Sequence, residues 1–376
     1  MEKTKRKNKI AGLFGLCPIA HILLFAGLAV IAAYFLLRDD TELMARISDT
    51  AVRPYHAFMS RLCDKLPFAL AELLIAAFAM LVLWYLLSSI IKLIRGPKRL
   101  GRLYKTVMSL AATFVLVYAG YCVLWGVYYY SGSFTESAGL DNGPVSTQEL
   151  IAVTEYFARQ ADHYGELVSR DENGIYTADT DEIIAKSEQL YDKISGEIPE
   201  LGAEYVRPNG ARLSKGMSYI DFTGFFFPFT GEAVVNTDSP QCFLPSTVAH
   251  ELSHQRGVAP EQEANFVAVV SCMSYGDTDY CYSAALLAYV YLGNALYSAD
   301  RDAWSEIRAS LSENVLRDLA YNSEYWQSFE SPAKEISNLV YEDFLKSYGQ
   351  EQGLKSYGAC VDLLVNYYCE RLDINA

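Results

Sequence analysis

Three apolar runs in the first 130 residues constrain this chain more than any other feature. "CPIAHILLFAGLAVIAAYFLL" (17–37) carries no group charged at neutral pH, "LPFALAELLIAAFAMLVLWYLLSSII" (66–91) carries only Glu72, and "TVMSLAATFVLVYAGYCVLWGVYYY" (106–130) carries none. A membrane-crossing helix needs ~20 mostly apolar residues, and each run is that long. The competing reading, three helices buried in a soluble core, fits these lengths poorly. The first run exceeds the ~7–15 residue apolar region of a cleaved signal peptide, and no small-x-small cleavage site precedes "RDDTE". All three are therefore expected to be retained spans. Glu72 lies about two helical turns inside the outer boundary of the second, where a carboxylate can snorkel to water or pair.

Loop charges orient the spans. The N-terminal "MEKTKRKNK" carries Lys3, Lys5, Arg6, Lys7 and Lys9. The loop "KLIRGPKRLGRLYK" carries Lys92, Arg95, Lys98, Arg99, Arg102 and Lys105 and no acid. Residues 38–65 balance five bases with five acids. Basic loops stay in the cytoplasm, so the chain is expected to start inside, cross three times, and leave everything after Tyr130 outside. Residues 131–376 hold 15 Lys+Arg against 38 Asp+Glu, a net of −23, whereas residues 1–130 hold 16 against 7, a net of +9. So acidic an outer domain repels nucleic acid, which leaves the lipid bilayer as the partner of the basic half. The expected organisation is a membrane domain (1–130), a Ser/Gly-rich linker (131–146) and an extracytoplasmic domain (147–376).

That outer domain reads as mainly α-helical with a small β element. Ser146 with Glu149, and Asp179 with Glu182, are spaced as capping boxes before amphipathic runs. The rhythm breaks at "SYIDFTGFFFPFTGEAVVNTDSP" (218–240), where "GEAVVN" is expected as a short strand and "FTGFFF" as a strand or lining loop. Helical patterning then continues from Ala264 to the C-terminus. The eight cysteines include no C-x-x-C, so no cysteine metal site is indicated. The pairs 272/281 and 360/369 could bridge in an oxidising compartment, and burial as small apolar residues is the alternative.

"STVAHELSHQRGVAPEQEANF" (246–266) is where chemistry concentrates. His250, Glu251 and His254 form H-E-x-x-H. On a helix, residues four apart share a face, so two imidazoles can reach one zinc at ~2.0–2.1 Å. Glu251 points about 100° away from His250, where it can serve as a general base without ligating. Pro245 and Ser246 suit the first turn of that helix, and Gly257 suits its left-handed end. A third protein ligand is needed. His21, His56 and His163 lie in a span, an outer loop and a surface-type helix. Glu261 and Glu263 follow on a second helix opened by Pro260. Glu261 shares a face with Asn265, which can hydrogen-bond a ligand. Glu263 lies ~200° round from Glu261 and has only Val267 beneath it. Glu261 is the preferred ligand and Glu263 the alternative. Tyr275, Tyr280 and Tyr282 follow closely, but tyrosine is so common here that none is assigned.

H-E-x-x-H followed by E-x-x-A-[DN] resembles the gluzincin-type zinc metallopeptidases, some of them membrane-embedded. The resemblance implies a zincin-like domain in which His250, His254 and Glu261 match the ligands, Glu251 the general base, and Asn265 the acid that orients a ligand. Asn265 departs from the usual Asp, and only six residues separate His254 from Glu261. The three spans together with "PFTGEAVVN", "HELSHQRG" and "EQEANF" also resemble an uncharacterised bacterial membrane family, over most of the chain. The activity these resemblances imply is hydrolysis of a peptide or protein substrate, membrane-proximal in position. "GEAVVN" would then be the edge strand on which an extended substrate pairs. The other reading is a non-enzymatic membrane sensor or assembly protein with a structural or vestigial zinc site; it has no need of Glu251.

Overall fold

The computed structural model describes residues 15–203, 205–347 and 357–374. Of the described residues, those up to Val52 together with Ala71–Ser131 form one compact unit, and Arg53–Leu70 together with those from Gly132 on form another. The basic residues Lys3 to Lys9 lie outside the described residues.

The first unit contains α1 (Pro18–Leu37). After helix α2 (Arg53–Cys63), which belongs to the second unit, come α3 (Leu70–Arg95) and α4 (Arg99–Leu124). Helices α1, α3 and α4 are long and apolar enough to cross a membrane. The second begins at Leu70 rather than 66, because Asp64–Phe68 forms turns around Pro67 before the helix can start. Residues 126–130 finish the third run as a 3-10 turn. Helix α1 packs on α4, and Gly27 permits the contact: a Cβ there would stand 2.8 Å from Val115 Cγ1. His21 Nε2 meets Tyr104 Oη at 2.7 Å, which gives this imidazole of an apolar helix a structural bond.

The second unit is mostly helical: α5 (Thr147–Gly165), then the strands β1 (Asn209–Gly210), β2 (Gly224–Phe227) and β3 (Glu232–Val235), then α6 (Leu244–Gln255), α7 (Glu261–Tyr275), α8 (Thr278–Ala299), α9 (Arg301–Ser310), α10 (Glu313–Ser328), α11 (Pro332–Ser347) and α12 (Tyr357–Arg371). Ser146 opens α5 with a reciprocal cap: Glu149 N–H donates to Ser146 Oγ at 3.2 Å and Ser146 N–H to Glu149 Oε2 at 2.7 Å. Asp179 caps its helix by accepting from the amides of Asp181 and Glu182. Helices α9 and α10 are separate because Ser312 leaves the helical path to donate its N–H to Asp162 Oδ1 at 2.8 Å and to cap α10.

Helix α7 is the axis of the core. Phe266, Val267, Ala268, Val269 and Val270 are consecutive and buried, so it is enclosed on every side. Helices α6, α8 and α12 surround it, and α5 packs on α8, with Ala158 and Ala161 of α5 and Ala284, Ala285 and Ala288 of α8 all buried in the core. Truncating Phe266 would cost about 3–5 kcal/mol. A helix so fixed holds whatever its first turn carries.

The sheet order is β1-β3-β2, β1 pairing parallel and β2 antiparallel with β3. "GEAVVN" is thus the central strand, not an edge. Its four residues are all buried: Ala233, Val234 and Val235 are the apolar side chains a two-sided strand requires, and Glu232 is buried with a hydrogen-bond partner. "GFFF" forms an edge.

Helix α2 docks on this sheet. Tyr55 Oη donates to the Phe229 carbonyl at 2.7 Å and His56 Nε2 to the Pro228 carbonyl at 2.9 Å. Gly231, at φ +67°, brings its backbone so close to His56 that a Cβ would stand 2.7 Å from the His56 carbonyl. Buried Glu232 accepts the Leu70 N–H at 2.9 Å. On the other side, residues 132–137 are held by buried Glu263, whose Oε1 accepts from Ser133 Oγ at 2.7 Å, Thr135 N–H at 3.1 Å and Thr135 Oγ1 at 2.7 Å. The eight cysteines are all unpaired, and seven are buried.

Candidate metal centre

Pro245 lies in the first turn of α6, where its missing N–H costs nothing. One turn later His250 and His254 project on one face, ring centroids 4.7 Å apart and nearly perpendicular. Each ring has its Nδ1 engaged. His254 Nδ1 meets the Val258 carbonyl at 2.7 Å. A carbonyl only accepts, so this nitrogen carries a proton, and Nε2 is the ring nitrogen left to bind a metal once it gives up its own. His250 Nδ1 bonds Asn265 Oδ1 at 2.9 Å, with the same consequence. Both Nε2 atoms are therefore presented as ligands, the tautomer and orientation that metal sites fix through the far nitrogen.

Both face Glu261. Gly257 takes φ +87°, which suits glycine, and its N–H donates to the His254 carbonyl at 2.9 Å. The reversal returns the Val258 carbonyl to His254 and then starts α7 at Glu261. The short reversal thus brings the Val258 carbonyl to His254 and Glu261 to both imidazoles. Glu261 Oε2 lies 3.2 Å from His250 Nε2, and Oε1 lies 3.7 Å from His254 Nε2. Ligands ~2.05 Å from a tetrahedral ion would stand ~3.4 Å apart. His250, His254 and Glu261 could hold a metal ion, their ligand atoms lying within 4.8 Å of one another.

The electrostatics favour a cation. Burial pushes the Glu261 carboxyl upward, but the two imidazoles outweigh it and hold this group well below the usual carboxylate range. Burial likewise lowers His254, and the facing Glu261 charge reverses that, raising it to about 9. Glu251 is 3% exposed, and its Oε2 has no hydrogen-bond partner. Burial pushes its carboxyl up to about 7, with the two imidazoles opposing and Glu261 adding to the rise. Gly224 of β2 packs directly on this carboxylate.

The other sequence candidates fall elsewhere. Glu263 clasps Ser133 and Thr135, two residues along α7 from Glu261 and outside the cluster. His21 bonds Tyr104, His56 bonds the Pro228 carbonyl, and His163 is exposed on α5. Tyr280 Oη donates to the Ile183 carbonyl and Tyr282 Oη to Asp318. Three features of the site had no signal in the sequence: Gly224 against Glu251, the Val258 carbonyl on His254, and Tyr341 of α11, whose hydroxyl donates to Glu261 Oε1 at 2.6 Å.

Residues 48–365 match a family described as a protein of unknown function (DUF3810), and the chain belongs to that family. The match takes in α2, two of the three apolar helices and the whole His–His–Glu cluster. No curated protein and no solved structure matches the chain.

Proposed function

We propose that the protein is a membrane-anchored zinc-dependent metallopeptidase in which His250, His254 and Glu261 hold the ion and Glu251 is the general base. The observation that carries the reading is Glu251: a buried carboxylate beside the ligand cluster, with one oxygen unpartnered and a glycine cleared in front of it. A structural metal site has no use for such a group. Two imidazoles and a carboxylate, with no thiolate, suit a catalytic zinc site that keeps an open position, although these donors also serve other divalent ions. A zinc ion there supplies Lewis acidity toward a water and the substrate carbonyl. Glu251 takes the proton of the attacking water and returns it to the departing amine. Asn265 and the Val258 carbonyl hold the two imidazoles in place. An extended peptide would pair along β2, the strand that carries Gly224, which brings its backbone past Glu251.

The N-terminus and the 92–105 loop are proposed to be cytoplasmic and the second unit extracytoplasmic. The charge asymmetry supports this. The membership of residues 53–70, between the first two apolar helices, in the same compact unit as the chain after Gly132 supports both segments lying on one side, whichever side that is. Cysteine labelling of an Asn142→Cys variant in intact cells checks it; reaction only after lysis would reverse the orientation.

The deciding experiment for the activity is Glu251→Gln. The variant is expected to keep its zinc and to lose hydrolysis by ~10²–10⁴-fold. Comparing the extracytoplasmic and membrane-proximal peptides of cells that express either form identifies the substrate. If no cleavage differs, and zinc-loaded wild type hydrolyses nothing in a peptide library, the non-enzymatic sensor reading takes its place. One observation favours that second reading: Glu263, on the same helical turn as Glu261, fixes the segment that follows the third apolar helix.

A further inference from the structure

Glu261 makes one contact that metal ligation does not explain. Tyr341 Oη donates to its Oε1 at 2.6 Å, leaving Oε2 as the oxygen nearer His250 Nε2, at 3.2 Å. A hydroxyl donating to a carboxylate at this distance is a strong, charge-assisted bond. Tyr341 arrives from α11, 80 residues further along the chain. That helix is thinly attached: apart from Leu345, none of its described side chains is buried, and Ile336, Leu339 and Val340 face outward. It is tied to the turn ahead of β2. Asn338 Nδ2 donates to Asp221 Oδ2 at 3.1 Å, Lys334 Nζ lies 3.4 Å from Asp221 Oδ1, and Ser337 Oγ donates to the Ile220 carbonyl at 3.0 Å. The Tyr341 ring rests on Phe222, centroids 5.7 Å apart. Asp221 sits at φ +64°, an uncommon backbone for a residue with a Cβ. The same turn leads into Gly224 and hence to Glu251. One short segment thus places both the tyrosine over the third ligand and the strand against the base.

We propose that Tyr341 is a positioning residue for the metal centre: by taking Oε1 it reserves Oε2 for the ion, so that Glu261 ligates through one oxygen and one coordination position stays open. This rests on the metal reading above. A carboxylate left without that bond is free to bind through both oxygens, which would fill the position a catalytic site must leave to water or substrate. Loss of a hydrogen bond to a ligand also weakens metal binding, typically 10–100-fold.

The test uses purified full-length protein in detergent, stripped of metal and titrated with Co²⁺, whose visible absorption per bound ion falls as coordination number rises. Wild type that takes up no more cobalt than His254→Ala would sink the metal reading itself. Where wild type binds one cobalt per chain, Tyr341→Phe, which keeps the ring on Phe222, is expected to bind it with lower absorption per ion. A Tyr341→Phe spectrum superimposable on wild type would overturn the positioning role and leave the metal reading intact. A tyrosine present only for packing would not move that spectrum.

Discussion

Gly224 stands against Glu251 so closely that a Cβ at residue 224 would lie 2.5 Å from the Glu251 Oε1, 2.7 Å from its Cγ and 2.8 Å from its Cδ. Three atoms along one side chain are involved, so turning the carboxylate end alone does not relieve the clash. Gly224→Ala is expected to rotate Glu251 away from the cluster while leaving His250, His254 and Glu261 in place. Zinc stoichiometry should stay at wild-type level and hydrolysis should fall by ~10²–10⁴-fold, as for loss of a general base. An active, zinc-loaded alanine variant would show that Glu251 does not act from this position.

The two neighbouring glutamates of α7 should separate cleanly on substitution. Glu261→Gln is expected to lose metal, measured by elemental analysis of the purified protein, with little change in melting temperature of the metal-free form. Glu263→Gln is expected to keep metal and lose stability, because three donors then meet a neutral amide in place of a charge. Hydrogen bonds to charged groups are worth ~1.5–3 kcal/mol against ~1 for neutral ones, so roughly 1–2 kcal/mol is at stake. If Glu263→Gln alone loses metal, the ligand set is misassigned.

Asn265 gives a graded test of how strongly the group behind His250 matters. Asn265→Leu removes the acceptor at 2.9 Å from Nδ1 and should weaken zinc binding about 10–100-fold. Asn265→Asp places a charge on the same nitrogen, makes the imidazole a better donor to the metal, and should tighten binding. Competition with a chelator of known affinity measures both. An aspartate variant that binds more weakly would mean that the neutral amide is part of what the site needs.

Much of the His–His–Glu cluster was legible because its residues are local. His250, Glu251 and His254 occupy one helix, and the ~100° step per residue separates Glu261, whose face Asn265 shares, from Glu263. The capping residues Ser146 and Asp179 were legible for the same reason: each cap is decided within four residues. What was hidden depends on distant partners. Nothing near Tyr341 says that it meets Glu261, and nothing in "GFFF" says that its glycine faces a carboxylate. The central place of β3 was misjudged because β1 spans only Asn209–Gly210, too short to leave a pattern. That 53–70 belongs with the second unit was likewise invisible, since its anchors, the Phe229 and Pro228 carbonyls and Glu232, lie more than 150 residues away in sequence.

The docking of α2 should be sensitive to acid through His56. This imidazole is buried between α2 and the sheet, stacked edge-on against Phe226 at 5.1 Å, with Nε2 on the Pro228 carbonyl. Burial lowers it from 6.5 to about 4, and the bond to Pro228 offsets only part of that. The folded protein therefore keeps His56 neutral across a range in which the unfolded chain is protonated. Unfolding takes up a proton between those two values, so the contribution is fully present above pH 6.5 and is lost as pH falls toward 4. The shift corresponds to on the order of 3 kcal/mol over the window. Thermal unfolding of the full-length protein at a series of pH values should show wild type losing stability from pH 6.5 downward. His56→Gln keeps a donor for the Pro228 carbonyl but cannot take up a proton, so it should lose less over the same range. The two proteins would then converge near pH 4 after differing at neutral pH. Parallel pH profiles for the two would place the acid sensitivity elsewhere in the fold.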